Sequence, residues 1–139
     1  MEPGFNLGRF RFRSASVSVR GRPPVEEWRD PLQFALWCQK ASPWWIGDIL
    51  HEGDTRFGEM FYQACEGMVS ADQLQRYVSV ARRVPAENRN PDLSWSLHAV
   101  VARFDPEEQR TWLARAARQG WTSEDLRRRV RNAVQQRKS

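Results

Sequence analysis

The sequence predicts a mainly α fold: a compact multi-helix domain with a helix-turn-helix and a short N-terminal β hairpin or arm. Three observations predict it. Apolar residues recur at spacings of three and four from residue 30 onward, whereas strict alternation is confined to residues 5–20. Helix-start and helix-stop residues punctuate the second part at regular intervals. The natural division is a β arm and linker over residues 1–24 and a helical domain over 25–139.

Composition fits a globular chain. Hydrophobic residues make up 40% and charged residues 28%, too apolar for disorder. No run approaches the roughly 18 apolar residues that span a bilayer, and MEPGFNLGRF lacks a signal peptide's apolar centre. The expectation is a cytoplasmic protein without a membrane partner. Cys38 and Cys65 stand beside apolar residues and read as small hydrophobes of a reducing compartment. The formal net charge is +5 and the pI about 10.0, carried almost wholly by arginine, since Lys40 and Lys138 are the only lysines. Arginine's planar fork suits phosphate, guanine edges and carboxylates. A GC-rich genome or a thermophilic host accounts for the same bias.

In the arm, Phe10 and Phe12 alternate with Arg9, Arg11 and Arg13, and Val17 and Val19 with Ser16, Ser18 and Arg20. The apolar phase flips between Phe12 and Val17, which calls for a turn near Ser14 or a bulge. Gly21, Pro23 and Pro24 end the arm. Asp30-Pro31 then opens a helix to about residue 40 with the stripe Leu32, Ala35, Leu36 and Gln39. Ser42-Pro43 repeats the start signal for a second helix with Trp45, Ile46, Ile49 and Leu50 on one face, ended or bent by Gly53. A third covers about 56–66. Ser70, with Gln73 three residues on, forms a capping box for the next helix, whose inward stripe is Leu74, Tyr77, Val78 and Ala81 and which Pro85 stops. Ser94 or Asp92 opens a helix through Phe104, Asp105-Pro106 one that stops at Gly120, and Thr122 with Asp125 the last, which frays toward the end. About seven helices result, with a core containing Trp45, Leu74, Tyr77, Trp95, Val101 and Trp112.

Residues 56–84 carry the clearest functional signal. Two helices meet at a tight turn, and the second starts at a cap and ends in paired arginines, the way a small basic protein presents a helix to the DNA major groove. Ala64, Gly67, Val69, Leu74 and Tyr77 supply the small, permissive and apolar positions. Counted from Ala64, the usual glycine would fall at Met68, one residue late. The outward positions Ala71, Asp72, Gln73, Gln75 and Arg76 are the readers, with Gln75 suited to adenine and Arg76 to guanine, and Arg82 and Arg83 nearer phosphate. The competing reading is a solvated helix whose basic end complements its own dipole. Arg127, Arg128, Arg129 and Arg131 on the last helix offer backbone contacts or, equally, a dipole-complementing C-terminus.

Catalysis finds little support. Asp48 and Glu52 share a helix face, but no third metal ligand accompanies them except His51 on another face. His51-Glu52 fails the zinc-protease spacing at Thr55, and there is no phosphate-binding glycine loop, dinucleotide fingerprint or G-x-S-x-G. The expectation is a non-enzyme with no cofactor and no metal.

With those residues in view, the chain over about 44–130 resembles the LmbU-like group of helix-turn-helix regulators and related phage or plasmid proteins. The resemblance rests on WWIGDILHEGDTRFGEMFYQACE, on DQLQRYVSVARRVPAENR, and on LSWSLHAVVARF with EQRTWLARAARQGWTSEDLRRRV, in that order. Leu97 stands where many of that group show a histidine before His98. The resemblance implies a bacterial or phage transcription regulator that binds double-stranded DNA through residues 71–83, with a homodimer as the default where operators are palindromic. The arm lies outside it. That position, with the acidic residues Asp48 to Glu59, motivates the alternative: a modulator that docks on RNA polymerase or a sigma factor, using Arg9, Arg11 and Arg13. The arm could also lie in or across a DNA groove, stack single-stranded bases or pair with a partner's exposed sheet edge; the reading preferred to these is a hairpin folded back over the helices through Phe10 and Phe12.

Overall fold

Alternation in residues 4–19 yields three strands in the computed structural model, which describes residues 3–138. β1 (Gly4–Leu7), β2 (Phe10–Arg13) and β3 (Ser16–Val19) form an antiparallel meander in that order. The turn at Ser14-Ala15 accounts for the phase flip, and a first strand is added to the expected hairpin. Phe5 faces Phe12, which faces Val17; Leu7 faces Phe10, which faces Val19. One face therefore collects all the apolar residues, because opposed positions share a face.

Six α-helices follow: α1 (Arg29–Phe57), α2 (Glu59–Ala64), α3 (Ala71–Arg83), α4 (Trp95–Val101), α5 (Pro106–Gln119) and α6 (Ser123–Lys138). Short 3-10 turns precede α1 (Val25–Trp28) and α4 (Ala86–Asn88). The fold is thus mainly α with a short β arm. Among the described residues no helix is long and apolar enough to cross a membrane.

Helix α1 corrects the sequence reading. The two helices expected on either side of Ser42 are one, with Pro43 inside it. An internal proline removes one backbone bond at a cost of about 3 kcal/mol, which the helix-forming residues on both sides offset. Gly53 does not stop the helix either: a Cβ there would collide with the Phe61 ring, so the glycine serves close approach. The break falls instead at Gly58, whose φ of 57° suits glycine. Arg56 and Phe57 consequently close α1, and the helix expected over 56–66 shrinks to the six residues of α2. The last helix does not fray but continues to Lys138, and the fourth ends at Val101, short of Phe104.

Contacts divide the chain into two units, Met1–Lys40 and Ala41–Ser139, with the division inside α1. In the first, the apolar sheet face lies on the start of α1: Phe34 meets Phe5 and Phe12 edge-on at 5.5 and 5.9 Å, and Trp28 meets Phe10 at 5.0 Å. Phe10 and Pro31 are buried, while Leu32, Ala35 and Leu36 of the expected stripe are exposed.

In the second unit the short helix α4 separates two clusters. Its Leu97 and Val101 pack with Trp112, Leu113 and Ala116 of α5 and Leu126 and Val130 of α6. Its Trp95 and Ala102 pack with Val80 and Val84, joined by Trp44 and Tyr77. Trp45 is 42% exposed and Leu74 half-buried, so neither belongs to the core. The inward residues of α1 are Trp44, Gly47 and the expected Leu50, while Trp45 and Ile49 are exposed. The inward face of α3 is likewise Tyr77, Val80, Ala81 and Val84, where Leu74 was expected to lead.

Candidate nucleic-acid interface

Helix α3 begins as its sequence dictates. Ser70 Oγ accepts from the Gln73 backbone N–H at 3.1 Å, and Gln73 Oε1 accepts from the Ser70 N–H at 3.2 Å. Both bonds satisfy donors that the first turn leaves open. The turn before it bends at Gly67, whose φ is 81°. Helix α2 buries no residue. Partial burial and then the nearby Asp54 carboxylate hold the phenol of its Tyr62 above the usual range.

The expected reading residues take different positions. Ala71, Asp72, Gln73 and Gln75 are exposed. Gln73 has its carbonyl committed to the cap, so its amide N–H groups remain for a base. Arg76 lays its guanidinium over the Trp95 ring, 5.5 Å from the centroid, which ties it to the core cluster. Arg82 and Arg83 are exposed at the helix end.

Two residues that sequence reasoning missed hold that end. Arg89 donates to the Val84 carbonyl at 3.1 Å and to the Ala81 carbonyl at 3.0 Å. It also grips Asp48 of α1 through both terminal nitrogens at 2.8 and 3.0 Å and lies 4.3 Å over Trp44. Gln109 of α5 is wholly buried. Its amide nitrogen donates to the carbonyls of Arg83 (2.9 Å), Phe104 (2.9 Å) and Ala102 (3.3 Å), and its oxygen accepts from Asn88 at 3.0 Å. Only tertiary contact assigns these roles, since both side chains read as surface residues of loop and helix. At the other side of α3, Gly47 brings α1 so close that a Cβ there would stand 2.5 Å from the Tyr77 carbonyl oxygen.

Two acidic residues of α1 prove to be paired. Asp48 bonds Arg89, and Glu52 bonds Arg56 at 2.7 Å. His98 is also accounted for: Asn90 N–H donates to its Nε2 at 3.0 Å, so its Nδ1 carries the proton and donates to the Ser94 carbonyl at 2.7 Å. Burial holds this imidazole below its usual pKa, helped by the Arg89 charge and opposed by the Ser94 bond.

On α6 the expected arginines separate. Arg128 pairs with Asp125 at 3.2 Å. Arg127 and Arg131 line a concavity of ≈ 490 Å³ on the α4–α6 side, together with Arg103 and Lys138. Arg103 was not among the sequence candidates; it converges there because α4 packs on α6. Arg11 and Arg13 point to the polar sheet face, bonded to Asn6 Oδ1 at 3.4 Å and Ser18 Oγ at 3.0 Å, and Arg9 is exposed at the first turn. Cys38 and Cys65 are half-buried and free.

Comparison with known proteins adds one relative. The chain is similar to the protein named Transcriptional regulator NovE of Streptomyces niveus, with 31% identity over 113 residues covering 74% of this chain and 52% of that one. It therefore spans about half the length of the curated relative that it matches. No family model matches the chain, and no solved structure does. By sequence, this chain is the relative of a named transcriptional regulator.

Proposed function

We propose that the protein is a DNA-binding transcriptional regulator of the LmbU-like kind, reading duplex DNA with α3 of a helix-turn-helix. The observation that carries this is the state of the α3 end. A helix leaves its last carbonyls unsatisfied, and cations there often serve only to answer them. Here Arg89 and Gln109 bond the carbonyls of Ala81, Arg83 and Val84. Arg82 and Arg83 are therefore not needed for that task and stand exposed, available to phosphate. The similarity to a named regulator supports the same class of function.

In this mechanism Gln73 and Gln75 approach base edges, joined by Arg76 on leaving the Trp95 ring, Arg82 and Arg83 contact phosphate, and Arg127 and Arg131, with Arg128 on release from Asp125, add backbone contacts. A homodimer would set two such helices about 34 Å apart on a palindromic site. The rival reading, docking on RNA polymerase or a sigma factor, draws on the acidic residues of α1. Asp48 and Glu52 are engaged by Arg89 and Arg56, which removes half of its motive.

The test is titration of genomic DNA fragments with the full chain across salt concentrations. Gln75→Ala should relax base preference at one position, whereas Arg83→Ala should weaken all sequences alike and reduce the salt slope by about 1. No binding at low salt refutes the proposal. A complex with polymerase captured from lysate and resistant to nuclease would favour the rival.

A further inference from the structure

The positive charge of this chain is not spread evenly. Residues 3–22 hold five of the 22 basic residues and none of the 17 acidic ones, so the rest of the chain is balanced at 17 of each. The whole excess of +5 therefore resides in the segment that folds as β1, β2 and β3 with its flanks.

The strand register sorts this segment by chemistry. Phe5, Leu7, Phe10, Phe12, Val17 and Val19 share the face laid on α1, and Asn6, Arg11, Arg13, Ser16 and Ser18 share the other. Arg9 and Arg20 flank that polar face, joined by a backbone bond of 2.9 Å from the Arg20 N–H to the Arg9 carbonyl. Asn6, Arg9, Arg11, Ser18 and Arg20 surround a shallow concavity of ≈ 360 Å³. Among the described residues no carboxylate is paired with Arg9, Arg11, Arg13 or Arg20; Glu27 and Asp30 approach only the Arg9 edge, across a smaller hollow. Arg11 and Arg13 meet neutral partners, which orient a guanidinium without neutralising it.

We infer that the polar face of this sheet is a second DNA-contacting surface, one that lies against duplex DNA. The inference rests on the proposed function for its ligand and on this face alone for its site. A three-stranded sheet is about 10 Å between outer strands, and four residues run about 13 Å. The B-DNA major groove is about 12 Å wide and accepts a two-stranded β-ribbon, so the pair β2–β3, which carries Arg11 and Arg13, can enter it. Arginine suits its phosphate rims and guanine edges. Single-stranded nucleic acid fits poorly, because binding it relies on aromatic platforms, and all three phenylalanines of the sheet are on the opposite face.

The experiment compares the wild type, R11Q/R13Q, R11K/R13K and R82Q/R83Q, all full-length, by fluorescence anisotropy on duplex and single-stranded 25-mers from 50 to 200 mM salt. The sheet substitutions change side chains on a solvent-facing surface, and a thermal melt confirms the fold. With each phosphate contact adding about 0.9 to the salt slope, R11Q/R13Q should lower it by about 2, making the loss across that range about tenfold smaller. R11K/R13K should keep most of the slope. An unchanged slope in R11Q/R13Q, or a preference for the single strand, overturns the inference. If R82Q/R83Q alone weakens binding, the sheet inference fails and the helix reading stands; if R11Q/R13Q alone does, the reverse holds. A wild type that does not bind duplex overturns both.

Discussion

Replacing Gln109 by leucine tests how α3 is held. The side chain is wholly buried, and its amide nitrogen serves the carbonyls of Arg83, Phe104 and Ala102 while its oxygen accepts from Asn88. Leucine preserves most of the volume and removes every one of these bonds. Asn88 keeps the Pro106 carbonyl as acceptor at 2.9 Å, so the loss falls mainly on the three carbonyls. Leaving a buried acceptor unsatisfied costs about 1–3 kcal/mol; with some relaxation, the total is about 3–5 kcal/mol. For a unit of about 100 residues this lowers Tm by roughly 20 °C. Calorimetry gives the magnitude. Hydrogen exchange gives the location, because amides of the last α3 turn should lose protection first. A Tm drop of less than about 3 °C, with that turn still protected, would refute the assignment of Gln109 as the clamp.

Other perturbations follow the same geometry. Trp112→Ala should cost about 3–5 kcal/mol, since the ring is buried in the α4–α5–α6 cluster and its indole N–H bonds Glu108 at 3.2 Å; a denaturant titration measures it. Gly47→Ala should destabilise by about 1–3 kcal/mol through the clash with the Tyr77 carbonyl, despite the helix-propensity gain of about 1 kcal/mol, and a melt that rises would refute the close approach. For His98, the folded state holds the imidazole pKa below its ordinary 6.5. Above that value both states are neutral and stability is full; as pH falls below it the unfolded chain takes up the proton first, so stability declines until the folded pKa is reached. His98→Gln should remove that decline below pH 6.5 in urea midpoints.

Local signals proved readable wherever one residue's chemistry decides the backbone. The Ser70–Gln73 box, the Asp105 cap, the Thr122–Asp125 pair and the Gly120 stop, with φ of 66°, are all observed. Ser42-Pro43 failed because a start signal only permits a helix to begin; it cannot terminate the one already running. The faces of α1 and α3 were read in part: Leu50, Tyr77 and Ala81 turn inward as expected, whereas Trp45, Ile49 and Leu74 do not lead the packing, since nothing local distinguishes Trp45 from Trp44. Arg89 and Gln109 were invisible for the same reason. Their partners lie across tertiary contacts, and no periodicity marks a polar residue that bonds carbonyls of another helix.

The charge distribution bears on how affinity and selectivity would be shared. In the second unit many cations are already occupied: Arg56, Arg89, Arg128 and Arg137 have carboxylate partners, and Arg76, Arg115 and Arg129 lie over tryptophan rings. On α3 itself only Arg82 and Arg83 are left to neutralise phosphate, so α3 by itself would bind with a shallow salt dependence. The arginines of the sheet face, unmatched by carboxylates, would supply the sequence-independent attraction that brings the chain to DNA, a term that grows with each phosphate met. Gln75 and the amide of Gln73 would then discriminate among bases at little electrostatic cost. On this division, losing the sheet arginines lowers affinity for every sequence in the same proportion, while losing Gln75 changes the ranking of sequences and leaves the salt slope where it was.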